Sequence, residues 1–216
     1  AGFLLSPIAR HVLDFHRGYN LYNTGFAAGF IGTVTMSTLK ALGVPLSGGF
    51  HWAQLGPAGV LPYLAALFVA LIVAGVIIDP LWLRSYKRLC SASGRLVSDF
   101  VRYYGLGATF VNMGVMGLLT CAVMLAIGAS WNGPMLGGLF TIVGFSAFGK
   151  HPRNTLPPMF GVIAMALMSR YGIGTPASQL AVLFSSTLAP VAGEYGPVAG
   201  FVVGMLHLVL VQVVGG

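Results

Sequence analysis

Acidic side chains are almost missing from this chain: four Asp and Glu in 216 residues, with 7% of residues charged and a net charge of +7. A water-soluble domain of this size carries about a quarter charged residues to coat its surface. With 56% of residues apolar, the solvent of this chain is expected to be largely lipid. Cysteine is scarce too. Cys90 stands in a basic stretch and Cys121 in an apolar one. Neither a CxxC nor a Cys/His metal spacing occurs, so neither a disulfide nor a zinc site is read here. A Walker sequence, a GxGxxG turn, a nucleophile elbow and HExxH are also absent, so no nucleotide, serine-hydrolase or zinc-protease motif is written here. No cofactor or metal is expected. No secretory leader pattern is visible. The bases lie in short clusters between apolar runs, the pattern of loops on anionic lipid, which argues against nucleic acid as a partner.

What is present is a series of apolar runs. Seven candidate segments cover 18–42, 57–78, 107–128, 135–148, 156–168, 176–191 and 197–214, and 1–15 reads as the end of an earlier helix or an interfacial one. The fourth, fifth and sixth are shorter than the about 20 residues a straight helix needs to cross a bilayer. Gly133-Pro134, Pro157-Pro158, Pro176 and Pro190 bound them. The expectation is an all-α integral membrane fold, a helical bundle of about seven segments, several short, broken or re-entrant. Broken helices must be buried in protein or line a wet cavity; short or interfacial helices with polar ends are the plainer alternative. Residues 1–216 read as one polytopic domain, part of a longer two-repeat protein. Small residues four apart, at Gly25 and Gly29 and at Gly200 and Gly204, predict close helix packing. A shift of 89 residues aligns Gly18, Asn23 and Gly25 with Gly107, Asn112 and Gly114, a weak internal repeat.

Charge sets the orientation. Arg84, Lys87, Arg88, Arg95 and Arg102 fall between 81 and 104, which makes that loop cytoplasmic. If every segment crosses, Arg10, Arg17, Lys150 and Arg153 join it inside, and Lys40 and Arg170 fall outside. Two re-entrant segments would satisfy the rule equally.

Three polar stretches carry the candidate chemistry. In the first, Asn20, Tyr22 and Asn23 stand at the entrance of a membrane run. The two amides, three apart, would share a helix face and offer donors and acceptors to a polar solute, or bond neighbouring helices. In the second, Lys150, His151, Arg153 and Asn154 stand between two short runs. Arg153 could clamp a carboxylate or phosphate, with Lys150 adding a point charge, or the bases could simply mark a cytoplasmic loop. In the third, Glu194 is the only glutamate. It would bind a proton or cation, or pair with Arg153 or Lys150, unless it is an exposed turn residue. Asn112 and His207 lie within apolar runs. His207 could relay protons or bond a neighbouring helix. Asp79, before a proline, marks a helix end.

The stretches NLYNTGFAAGF (20–30), GFSAFGKHPRN (144–154) and TLAPVAGE (187–194) resemble a domain-of-unknown-function family of polytopic prokaryotic membrane proteins. The resemblance implies an integral membrane location, here the plasma (inner) membrane. It also implies a second NLYN-type motif in longer members, so that this chain is a central portion. It supplies no activity. The functional expectation is a transporter or channel for a small polar solute, anions included. Asn20, Tyr22, Asn23, Asn112, Lys150, His151, Arg153 and Asn154 would bind it, and Glu194 and His207 would couple a proton or ion. The rivals are an intramembrane enzyme on a lipid-linked or phosphorylated substrate and a structural or signalling subunit. The expected partners are the bilayer, the solute, and either a second copy or the missing half of the same protein.

Overall fold

A computed structural model describes residues 2–45, 52–170 and 172–215. The two terminal positions, 1 and 216, where the expectation of a longer protein arises, lie outside them. Every named element among the described residues is helical. Helix α1 (Gly2–His16) and α2 (Asn23–Ala41) form a hairpin. Arg17 and Gly18 turn the chain between them at positive φ. Gly18 is required there, because a Cβ would sit 2.4 Å from the Leu96 carbonyl oxygen.

Helix α3 (Pro57–Ile78) coincides with the second predicted run. Pro57 presets its first turn. Asp79, restricted by Pro80 to an extended conformation, ends it, and its carboxylate accepts from the Leu81 N–H at 2.8 Å. Two short helices follow inside the basic stretch, α4 (Trp82–Leu89) and α5 (Phe100–Tyr104). Asp99 caps the second by accepting from Arg102 N at 3.0 Å. Then come α6 (Leu106–Ala126), α7 (Gly133–Phe145) and α8 (Pro152–Met168). The sixth run is broken: α9 (Pro176–Phe184) passes through a 3-10 turn (Ser185–Leu188) into α10 (Ala189–Tyr195). Helix α11 (Pro197–Gly215) closes the series.

The bundle has two ends. At one, the Arg95 guanidinium reaches the Arg17 carbonyl, Phe100 N reaches Ala147 O, and Tyr19 meets Tyr195. At the other, Leu55 N donates to Trp131 O, Ser130 N to Gln179, and Gln212 to Ser169. Helices α7 and α8 and the α9–α10 path each run from one end to the other. The expected break is observed in the sixth run. Pro157 and Pro158 do not bound a helix as expected; α8 begins before them and continues through them. They fall in its second turn, past the first-turn positions whose N–H groups have no intrahelical partner, and leave the carbonyls of Arg153 and Asn154 without their i→i−4 donors. Arg17, the basic stretch, Lys150 and Arg153 share one end.

The core lies among α6, α7, α8 and α9, where Met116, Leu139, Met159 and Leu183 are fully buried. Glycine lets α8 and α11 touch: a Cβ at Gly161 would meet Phe201 O at 2.0 Å, and one at Gly204 would meet Pro158 O at 2.1 Å. The other predicted small pair does not act this way, since Gly29 faces open space. The proposed repeat does not hold in structure: Gly18 is in a turn and Gly107 in a helix, and Asn23 opens α2 while Asn112 sits inside α6. Helices α3 and α6 are long and apolar enough to cross a membrane. In α3 only 17% of the most apolar stretch is buried.

Candidate functional site

Asn20, Tyr22 and Lys150, far apart in sequence, meet Ser186 and Thr187 at the 3-10 break. A break leaves backbone groups without intrahelical partners, and the turn before α2 satisfies them. Leu21 N donates to Thr187 O at 3.0 Å, and Tyr22 N to Thr187 Oγ1 at 3.1 Å. Thr187 Oγ1 in turn donates to the Asn20 side-chain oxygen. Asn20 therefore lies in a turn, not on α2, and the predicted helix face shared with Asn23 does not exist. Asn23 instead locks the hairpin, donating to Ala9 O and bonding His16 Nε2, both at 2.9 Å.

Lys150 comes in from the turn between α7 and α8. It is 0% exposed. Its Nζ donates to the Tyr22 hydroxyl and, at 2.6 Å, to Ser186 Oγ, and lies 4.1 Å from the centre of the Tyr22 ring. Tyr22 and Ser186 also bond each other at 3.1 Å. Among the described residues no carboxylate pairs with Lys150. Burial holds its amine well below the ordinary lysine value and pushes the Tyr22 phenol up. The lysine is thus not a solvated loop cation.

Tyr22 faces a cavity of about 1020 Å³. Asn20, Tyr22, Asn23, Thr24, Thr187 and His207 are among its polar lining, and Phe145, Phe184, Leu206 and Leu210 are among its apolar walls. Apolar walls with a few convergent polar groups are the usual form of a ligand site. His207 Nε2 is buried there with no hydrogen-bond partner among the described residues.

His151, Arg153 and Asn154 lie elsewhere, along a smaller cavity of about 490 Å³ with Cys90 and Gly193. Asn154 is spent on the protein. It donates to Gly149 O at 2.8 Å and Ser93 O at 3.3 Å, and accepts from His151 N and Thr155. His151 is buried against Phe100, with Nε2 2.9 Å from Ala92 O. Burial, helped by the Arg153 charge, lowers its pKa to about 4. Asn112 enters neither cavity; its amide donates to Ser146 O and Lys150 O, both at 2.7 Å, and holds the turn that carries the lysine. Glu194 pairs with Arg95 at 3.5 Å, at the surface, and with neither predicted cation. Arg153 and Lys150 are simply not at that surface position, whereas Arg95 also fixes the Arg17 carbonyl there.

Ser186 and Thr187 carry more of the site than sequence reasoning assigned them. The available signal was Ser185-Ser186-Thr187, three successive hydroxyls inside an otherwise apolar run. Arg95 was counted only as one of a cluster.

Residues 1–41 and 78–216 match the family described as "Protein of unknown function (DUF1576)", and the chain belongs to that family. No curated protein and no solved structure matches the chain.

Proposed function

We propose that this member of a family of unknown function is an integral membrane domain that moves a small polar solute through the larger cavity. A helix as apolar as α3 with so little of its surface covered is unstable in water and stable in lipid. The observation that carries the functional reading is the convergence of Asn20, Tyr22, Thr187 and His207 on one cavity, at the one break in the helix path through which α9 continues into α10. Discontinuous helices with irregular backbone lining a cavity are how many transporters hold a solute near mid-membrane. Asn20 and Asn23 orient the solute, and the hydroxyls of Tyr22 and Thr187 exchange hydrogen bonds with it. His207 offers the cavity its unpartnered nitrogen. Arg153 and His151 belong to the basic face.

The test is osmotic swelling of proteoliposomes in urea, glycerol and lactate. At least one solute enters faster than into empty liposomes. A bulky thiol reagent blocks that entry in Thr24→Cys on a Cys90→Ser, Cys121→Ser background, because Thr24 lines the same cavity. Identical swelling rates with and without protein would remove the reading.

A further inference from the structure

All four acidic side chains of the chain are committed away from Lys150. Asp79 accepts from Leu81 N at the end of α3, and Asp99 caps α5. Glu194 pairs with Arg95, and Asp14 is exposed on α1. The groups around the amine are the Tyr22 hydroxyl, Ser186 Oγ, and the rings of Tyr22 and Phe145. Of these only Tyr22 titrates. A buried ammonium without a countercharge is costly, so the empty site holds a neutral amine, and a charged one requires an anion from outside the chain. Among the described residues the route to Nζ is the larger cavity, because Tyr22 both lines it and touches Nζ.

We propose that Lys150 is the proton-binding group of this site and that the solute is a weak acid, taken in as an anion together with its proton. The Tyr22 hydroxyl passes its proton to the Lys150 amine while it receives one from the acid in the cavity. The products are an ammonium at Lys150, an intact phenol at Tyr22, and an anion held by that phenol. Reversal releases the acid. The pair enters and leaves without net charge, which suits a chain with no acidic group to spare. This rests on the transport reading of the same cavity. The recognised chemistry is a monoanionic carboxylate or phosphate, and either a free small anion or a lipid acid carries it.

The experiment uses the full chain in phosphatidylcholine nanodiscs with ¹⁵N-labelled lysine. Lys40→Arg and Lys87→Arg leave a single amine signal, because the chain has three lysines. Without ligand at pH 7.5, Lys150 gives the signal of a neutral amine. Lactate, inorganic phosphate or decanoate raises its titration midpoint by about one pH unit or more. A response to lactate or phosphate alone assigns a free anion; a response to decanoate alone assigns a lipid acid. Lys150→Met, of similar shape and always neutral, stays folded and loses proton uptake on anion addition. An ammonium signal without ligand at pH 7.5 overturns the proposal, and so does a midpoint that none of the three anions moves. If the midpoint stays fixed while glycerol still crosses, the proton role falls and the cavity reading stands. If anions protonate Lys150 while no solute crosses, the transport reading falls and the anion site stands.

Discussion

Asn154 uses both amide hydrogens and both lone-pair directions of its side chain on the protein. Truncating it leaves buried carbonyls unpartnered, each worth about 1–3 kcal/mol. Asn154→Ala is therefore expected to lower stability by about 2–3 kcal/mol in a detergent melt, while transport per folded molecule stays near wild type. Its neighbour His151 gives a pH dependence. Its folded pKa is about 4 against an ordinary 6.5. Between those values the unfolded chain binds the extra proton. The stability contribution is complete above pH 6.5 and is lost as pH falls toward 4. Melting temperatures from pH 7 to 4.5 should fall more steeply in wild type than in His151→Gln. Lys150, whose amine burial holds well below its ordinary value, is present in both proteins. An equal slope in both would show that His151 is not buried neutral.

Helix by helix, contact distance is set by glycine. Along α8 and α11 the backbones meet at Gly161 and Gly204 with no room for a methyl group. Gly161→Val is expected to cost roughly 1–3 kcal/mol by overpacking, and Gly29→Val, which faces open space, close to nothing. Comparable losses at the two positions would place a neighbour over α2. The element boundaries were largely legible in sequence. Unbroken apolar runs and prolines marked α3 and α11 almost to the residue. Less legible was α8, which begins at Pro152 and runs through Pro157-Pro158, the pair expected to bound it. The helices α4 and α5 were also missed, since a run of bases reads as a loop until Leu89, Phe100 and Ala108 are seen to pack together.

Across the whole molecule, the basic stretch and the α7–α8 turn meet at one end, and the charge pattern expects Lys40 at the opposite face. In oriented proteoliposomes or intact cells, single cysteines replacing Lys40 and Lys87 on the cysteine-free background should react with a charged thiol reagent from opposite faces. Reaction of both from one face would exclude the crossing of α3. At this scale the candidate site was half legible. Asn20, Tyr22, Asn23 and His207 were named from sequence and share one cavity. Arg153 and His151 were grouped with them and lie along another.

The sequence alone determined the helices, because composition and run length act locally and need no knowledge of neighbours. It also determined, through its four acids, that a buried base would find little countercharge within the chain. Only the tertiary structure decided which base that was. Lys150 and Arg153 stand three positions apart in one motif. One is enclosed beneath Tyr22 and Ser186 and the other lies at a cavity by the basic end. Burial depends on contacts between residues more than a hundred positions apart, and no local pattern encodes them.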